Sequence, residues 1–373
     1  MRSKTVDGAS ALKTSSLTIV REHCAKFRHR ASLCTRCTDV CPAGALNLSQ
    51  NYPSVHAEVC KQCGACAAVC PTGAFEISQP VDEELAQMIE GLAKQKIAVT
   101  LVCKEVAHPP AESISVTCLA RIDSSLLLFA VAQGAPEIRW VTADCATCSL
   151  AGVLPHQRNT IATTKKLLAA LEVRANISMA TTARAAASKP IQSEIDSSRR
   201  SFLRRFGRAS VIFDSKAQPL LIADVPQPDA AQNHRREELT VYLPEKRKRW
   251  TQSMNALILR ASGNGKAIEF PVPQLDSASC SGCLICAKSC PTGALAYTED
   301  EKMLCITLDA SMCVACNLCV ELCHGRALSL SSGDLWLLQA PRRVLIERER
   351  NGDLLASLED KMSRLIGVSV YRT

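Results

Sequence analysis

A cysteine pattern that occurs near both ends of the chain constrains the fold more than any other feature of the sequence. The chain has 373 residues and 21 cysteines. Residues 60–74 (CKQCGACAAVCPTGA) align without a gap on residues 280–294 (CSGCLICAKSCPTGA). Cysteines cluster in 24–70, 103–148 and 280–323, and none lies between Cys148 and Cys280. We therefore expect duplicated modules at the two ends and a different unit between them.

The spacing within each cluster indicates thiolates that bind metal. The first twenty residues lack the apolar core of a signal peptide, and the longest apolar run, Leu126 to Ala132, is too short for a bilayer. We therefore expect a soluble, cytoplasmic protein with no transmembrane segment, in which cysteines usually bind metal instead of forming disulfides. Two-residue gaps let one loop present three sulfurs to an iron–sulfur core. A zinc site, the alternative, predicts separate CxxC pairs.

In the C-terminal copy, a second run follows the first, and it has His324 where the first run has Pro291. Both runs resemble the bacterial ferredoxins that bind two [4Fe-4S] clusters, in which each cluster takes its fourth ligand from the other run. The resemblance implies an α+β ferredoxin-like module with two clusters. The first would be held by Cys280, Cys283, Cys286 and Cys323. The second would be held by Cys313, Cys316, Cys319 and Cys290.

The N-terminal copy departs from this pattern at one ligand. Its second run is complete, but the first run has Ala31 where a cysteine is expected. Cys24 is the substitute if residues 25–33 form an enlarged loop. One [4Fe-4S] cluster would then be held by Cys24, Cys34, Cys37 and Cys70, and the other by Cys60, Cys63, Cys66 and Cys41. A [3Fe-4S] cluster that leaves Cys24 unused is the alternative. His23 and His29 are either ligands or solvated loop residues.

Each module is predicted to carry a strand hairpin between its two cysteine loops. The strands are predicted over 45–48 and 55–57 in the N-terminal copy, and over 295–298 and 303–308 in the C-terminal copy. Cys305 lies in the last of these strands, and we expect it to be a small buried hydrophobic residue that binds no metal.

Residues 82–175 have the pattern of a small α/β domain with a parallel sheet. Strands are predicted over 97–102, 114–117 and 137–142, and helices over 124–133 and 163–173. Cys103 and Cys118 end the first two strands, and Cys145 and Cys148 follow the third. Because the carboxyl ends of parallel strands meet at one edge of a sheet, we expect these four sulfurs to converge.

This middle stretch resembles the iron–sulfur delta subunit of methyl-viologen-reducing hydrogenases, which passes electrons to a heterodisulfide reductase. The matching residues are 97–103, 118–123, the helix that ends at Gln133-Gly134-Ala135, and 141–148. The resemblance implies a [2Fe-2S] cluster on Cys103, Cys118, Cys145 and Cys148. Zinc or an empty group of thiols is the alternative, since Val106 and Thr147 stand where the family tends to carry further Cys or His.

These patterns divide the chain into four segments: an N-terminal two-cluster module (1–81), a delta-subunit-like domain (82–175), a basic linker (176–265) and a C-terminal two-cluster module with an extension (266–373). Short helices are predicted in the linker over 199–206 and 255–260. The whole formal net charge of +8 lies between residues 184 and 266. We interpret this charge as a complement to negatively charged clusters or to an acidic partner, and not as a nucleic-acid site.

The expected function is electron transfer, because clusters fully ligated by cysteine leave no iron open to substrate and no catalytic motif is recognised. Resemblance implies partners such as a hydrogenase, a formate dehydrogenase or a heterodisulfide-reductase-like flavoprotein. The segment Arg199–Arg208 resembles the start of accessory ferredoxins of molybdenum nitrate reductases. The alternative function is therefore an accessory or assembly ferredoxin that docks on a molybdoenzyme.

Overall fold

The structure is a computed structural model that describes residues 12–13, 17–183, 241–261, 270–300 and 302–349. The helix predicted over 199–206 and the Arg199–Arg208 segment lie outside these residues. None of the helices within the described part of the chain combines the length and apolarity needed to span a bilayer.

Short strands and helices alternate in the N-terminal module. They are β1 (Leu12–Lys13), β2 (Leu17–Ile19), α1 (Ala25–Arg28), α2 (Arg36–Val40), β3 (Leu46–Asn47), β4 (Ser54–Val55), α3 (Ala65–Val69) and β5 (Phe75–Ile77). Antiparallel pairing joins β1, β2 and β5 in that order, and β3 pairs with β4 in a separate hairpin. The hairpin predicted from the sequence is therefore present, with shorter strands.

The middle domain is an α/β unit. Its elements are α4 (Asp82–Lys94), β6 (Val99–Cys103), β7 (Ser113–Val116), α5 (Ser124–Ala132), β8 (Glu137–Thr142), α6 (Leu154–Ala170) and β9 (Asn176–Thr181). The sheet has the order β7-β6-β8-β9 and every pair is parallel. All four strands therefore end at the same edge, which is the edge that the sequence predicts for the middle cysteines.

Apolar side chains fill both faces of this domain. All five residues of β6 are buried, as expected for a strand covered by helices on both faces. Leu101 and Trp140 are fully buried in the sheet, and Leu128 of α5 packs with them. The Asp123 side chain accepts hydrogen bonds from the amides of Ser125 and Leu126, which caps the start of α5.

The C-terminal half begins with a long helix. Its elements are α7 (Glu245–Arg260), β10 (Phe270–Leu275), α8 (Ile285–Lys288), β11 (Leu295–Glu299), β12 (Met303–Leu308), α9 (Leu318–Glu321), β13 (Leu328–Gly333) and β14 (Arg343–Glu349). The predicted hairpin is β11 and β12, and β14 adds a third antiparallel strand to it. Strands β10 and β13 pair antiparallel, as β2 and β5 do in the N-terminal module. The two modules therefore share their architecture as well as their cysteine spacing.

Helix α6 and two elements within the predicted linker differ from the sequence-based expectation. Helix α6 begins at Leu154, nine residues earlier than predicted, because three of its buried residues, Gln157, Thr160 and Thr164, are polar and conceal the apolar period. Strand β9 lies within the predicted linker and has a single buried residue, Ile177, so that no alternation marks it.

Helix α7 also lies within the predicted linker and begins ten residues before the predicted helix at 255. Its charged first half hides an apolar stripe, in which Met254 and Leu257 are fully buried. These residues pack in the same core as α5 and the parallel sheet. The segment 245–260 is therefore part of the middle domain's core and does not behave as a linker.

We expect Leu257→Ala to lower the free energy of unfolding by about 2–5 kcal/mol, because it removes a fully buried side chain and leaves a cavity. Leu259→Ala is the control in the same helix, since Leu259 is 82% exposed, and it should change the free energy by less than about 0.5 kcal/mol. Urea unfolding followed by circular dichroism compares the two. Equal midpoints would contradict the packing of α7 described above.

Candidate metal centres

The cysteine loops are shaped by left-handed backbone on both sides of one cysteine. In the loop at Cys63, the flanking residues Gln62 and Gly64 both have positive φ. The same holds for Gly282 and Leu284 around Cys283, and for Ala315 and Asn317 around Cys316. Non-glycine residues rarely adopt this conformation, and it curls the backbone so that successive amides turn inward, as in many anion-binding and iron–sulfur loops.

Three cavities in the structure are each lined by one predicted set of four cysteines. One cavity is lined by Cys41, Cys60, Cys63 and Cys66. The second is lined by Cys290, Cys313, Cys316 and Cys319. The third lies in the middle domain and is lined by Cys103, Cys118, Cys145 and Cys148. In the two end modules, the fourth cysteine of each set comes from the other cysteine loop, as the crosswise expectation requires.

The remaining two sets are neighbours as well. Burial is the main cause that raises the pKa of the Cys37 thiol to about 12, with contributions from the nearby sulfurs of Cys70, Cys24 and Cys34. In the C-terminal module, burial raises the pKa of the Cys286 thiol to about 12, with further contributions from Cys283, Cys280 and Cys323. Such thiols are neutral at pH 7, so ligation of a metal there releases protons.

The donor sets suit a cluster of several atoms. Within residues 17–183, 241–261, 270–300 and 302–349, no three Cys, His, Asp or Glu side chains are grouped as ligands of a metal ion. The sulfurs of three of the five sets instead surround the cavities described above, and a cluster of iron and sulfide fills the space between its thiolate ligands. The residues present therefore fit iron–sulfur clusters by their chemistry and by their placement around a cavity.

Backbone amides approach several of the sulfurs. In three cases the donor is the amide of the fourth residue after the cysteine. The amide of Ala45 donates to Cys41 Sγ at 3.3 Å, that of Ala74 to Cys70 Sγ at 3.4 Å and that of Ala327 to Cys323 Sγ at 3.2 Å. Each of these three cysteines is the fourth member of a set whose other three members lie in the other cysteine loop of its module. Hydrogen bonds to ligand sulfur are one of the factors that set cluster potentials.

Cys24 lies beside the set that lacks a regular first ligand. It is buried, and burial raises the pKa of its thiol, with smaller contributions from Cys70 and Cys34. The residues between Cys24 and Cys34 form the enlarged loop, which contains α1. The structure thus brings Cys24 to its predicted set.

The two candidate histidines have other partners. The His23 ring stacks on Tyr242, with centroids 3.6 Å apart, and its Nδ1 lies 3.2 Å from the carbonyl oxygen of Gly73. Burial lowers the pKa of His23. Nδ1 of His29 accepts a hydrogen bond from the amide of Ala31. His23 is therefore a packed residue of the module and not a solvated loop histidine.

The middle set lies where β6, β7 and β8 end. The amide of Ala143 donates to Cys103 Sγ at 3.5 Å, and the side-chain amide of Gln157 donates to Cys118 Sγ at 3.5 Å. Burial is the main cause that raises the pKa of Cys118 to about 12, and nearby sulfurs, first that of Cys63, contribute to this shift. The four sulfurs therefore converge at the predicted edge, beside the N-terminal module.

The basic run at the start of α7 contacts both end modules, which the sequence analysis did not predict. Lys246 Nζ donates to the carbonyl oxygens of Ala67 and Ala68, at 2.9 and 3.2 Å. Arg247 donates from Nε to the carbonyl oxygen of Ser311 at 2.8 Å and from Nη2 to that of Ala310 at 3.0 Å. An amphipathic period across residues 245–260 was the available signal. Part of the positive charge thus binds carbonyl groups within the chain.

Cys305 stands apart from the five sets. It lies in β12, as predicted, between the buried residues Leu304 and Ile306. Because side chains alternate along a strand, Cys305 faces away from the core and is only half buried, so the expectation of full burial is wrong.

Two regions of the chain, residues 30–74 and 262–327, match the model of the 4Fe-4S dicluster domain. Together they cover less than half of the chain, and Cys24 and the middle cysteines lie outside them. No curated protein and no solved structure matches the chain.

The protein therefore contains two ferredoxin-type modules of the [4Fe-4S] dicluster class, with a parallel α/β sheet between them in sequence. This class binds iron–sulfur clusters through cysteine and serves electron transfer.

The close approach of the Cys63 loop to the middle domain gives a further prediction. A Cβ on Gly64 would lie 2.8 Å from Cβ of Arg121, whereas a Cβ on Gly44 would meet open space. Both glycines have positive φ, so either change to Ala costs about 1 kcal/mol. We expect Gly64→Ala to lower the free energy of unfolding by about 1–3 kcal/mol more than Gly44→Ala does, because its Cβ overpacks the contact with Arg121. Thermal unfolding midpoints measure the difference, and equal losses for the two variants would contradict the contact.

Proposed function

We propose that this protein is a multi-cluster electron-transfer subunit with four [4Fe-4S] clusters, two in each end module. The N-terminal ligands are Cys24, Cys34, Cys37 and Cys70 for one cluster, and Cys41, Cys60, Cys63 and Cys66 for the other. The C-terminal ligands are Cys280, Cys283, Cys286 and Cys323 for one, and Cys290, Cys313, Cys316 and Cys319 for the other.

The observation that carries this proposal is the gathering of each set of four thiols from two separate loops. Two of the four sets line cavities of their own. In each of the other two, one buried cysteine, Cys37 or Cys286, has the other three cysteines of its set as electrostatic neighbours. When bound, clusters of this kind accept and donate single electrons. The chain's residues hold the sulfurs in place, shield them from water and direct amide dipoles at them.

The middle set is proposed to hold a [2Fe-2S] cluster. Its four thiols line one cavity at the carboxyl edge of a parallel sheet, which supports a metal centre there. The number and chemistry of the ligands suit a two-iron centre. Zinc would use the same four sulfurs, and the two are separated by metal analysis.

The proposed partners are other redox proteins in a cytoplasmic complex. The resemblance of residues 82–148 to the hydrogenase delta subunit suggests a hydrogenase, a formate dehydrogenase or a heterodisulfide-reductase-like flavoprotein as donor or acceptor. In this function the chain is a relay, and the bond-making chemistry takes place in its partners.

Metal and sulfide analysis of protein purified without oxygen tests the proposal. We expect about 16 iron atoms per chain for four cubanes and about 18 with the two-iron centre. About 15 would indicate a three-iron cluster in the Cys24 set without the two-iron centre. The reduced protein should give EPR signals of several clusters. Colourless protein, or protein that contains zinc in place of iron, would overturn the proposal.

Replacing Cys24 tests the irregular ligand. We expect Cys24→Ala to lower the iron content by about one atom if the site becomes a three-iron cluster, and by about four if the cluster is lost. Cys305→Ala removes a thiol outside the five sets and should leave iron, sulfide and EPR signals unchanged. Full iron content in Cys24→Ala would show that Cys24 is not a ligand.

A further inference from the structure

The enlarged loop of the N-terminal module packs against the C-terminal module. Ala25 of α1 is buried in one apolar cluster with Leu318 and Leu322 of the C-terminal module, and Cys316 packs against that cluster. The amide of Leu33 donates to Glu321 Oε2 at 3.0 Å. The residues that displace the first ligand of the N-terminal run therefore form a junction between the modules.

Arg28 lies within this junction. Its backbone amide donates to the carbonyl oxygen of Cys24 at 3.0 Å, and its Nε donates to that of Glu22 at 3.0 Å. The side chain is buried. Burial lowers the pKa of the Arg28 guanidinium, and the nearby sulfurs of Cys290 and Cys316 oppose this shift. Arg28 thus belongs to the N-terminal module by its backbone, while its guanidinium is an electrostatic neighbour of cysteines of the C-terminal module.

Two more arginines face the same cysteine set from other elements. Arg36 of α2 donates from Nη2 to the carbonyl oxygen of Ala315 at 3.0 Å, next to Cys316. Arg247 of α7 donates to the carbonyls of residues 310 and 311, just before Cys313. Burial lowers the pKa of Arg247 to about 10, and Cys313 opposes the shift. We call Arg28, Arg36 and Arg247 the arginine triad.

A cation near a cluster favours its reduced form, because reduction adds one negative charge to the cluster. The interaction is stronger when the cation is buried, where the effective dielectric constant is low. Arg28 is such a buried cation, and Arg247 is half-buried. The triad therefore acts on electron affinity at the site where the two modules meet.

We propose that the arginine triad raises the reduction potential of the [4Fe-4S] site of Cys290, Cys313, Cys316 and Cys319. This proposal rests on the proposed function. Arg28 is a positioning residue that tunes this site from the other module, and the enlarged loop at Cys24 is the device that places it there.

The location of this site within the chain supports such a role. Cys319 and Cys286 are electrostatic neighbours within the C-terminal module, as Cys66 and Cys37 are within the N-terminal module. Cys118 of the middle set neighbours Cys63. The cysteine sets thus form a series of neighbours. The arginine triad lies at the set where this series passes from the C-terminal module to the N-terminal module.

Stepwise reduction of the full-length holoprotein with dithionite, followed by EPR at defined potentials, tests this proposal. Cys316→Ala identifies the signal of this site, because that variant should lack it. Arg28→Gln should shift the midpoint potential of this signal to a more negative value, with iron content unchanged. Arg30→Gln is the matched control, since it removes the same charge from an exposed position in the same loop, and it should shift no signal.

Each outcome decides the question. The proposal is overturned if Arg28→Gln shifts nothing, or if Arg30→Gln shifts the same signal equally. If Arg28→Gln loses iron, Arg28→Lys is measured in its place, because it keeps the charge. Retained iron and an unchanged midpoint potential in that variant support the proposal, whereas loss of iron shows a purely structural role and overturns it. A holoprotein without iron would instead refute the proposed function.

Discussion

The fold depends on bringing buried thiols from separate loops to common centres. Each end module contributes three sulfurs from one loop and a fourth from the other, so neither loop can complete a set alone. Burial raises the pKa of the Cys37 and Cys286 thiols, because a buried thiolate beside other sulfurs is costly without a metal. The module architecture is therefore the scaffold of a metal centre, and its small apolar cores are built around the cysteines themselves.

The two modules are also joined by the segment that precedes α7. Gly73 and Gly293 occupy equivalent positions in the duplicated motif, and both approach this segment closely. A Cβ on Gly73 would lie 3.1 Å from Pro244, and one on Gly293 would lie 2.9 Å from Val241. The amide of Tyr242 donates to the carbonyl oxygen of Pro291 at 2.9 Å. A single short segment thus contacts the same turn of both copies, and the helix that follows it packs on the middle domain.

Departures from the repeated pattern occur where the modules make contacts outside themselves. The N-terminal run lacks the regular first cysteine, and the loop that replaces it contacts the C-terminal module through α1. The regular loop at Cys63 instead contacts the middle domain, with Gly64 against Arg121. The two duplicated modules are therefore similar, and the irregular loop gives their metal centres different surroundings. The proposed difference in electron affinity follows from those surroundings, since the ligands of the two modules are chemically alike.

Sequence alone predicted which three cysteines of each run group together, because the spacing Cys-x2-Cys-x2-Cys fixes the reach of each loop, and the resemblance to ferredoxins implied the fourth. It also predicted a parallel sheet and the edge at which Cys103, Cys118 and Cys145 lie, since alternating strands and helices favour parallel strands that end at one edge, but it predicted neither the strand order nor β9. It could not find α7 or the start of α6, whose buried faces are charged or polar, for example at Arg249 and Gln157. Only the tertiary structure decided that Arg28 faces Cys316 and that Lys246 contacts the Cys66 helix. Those contacts join residues far apart in the chain, and no local period or spacing encodes them.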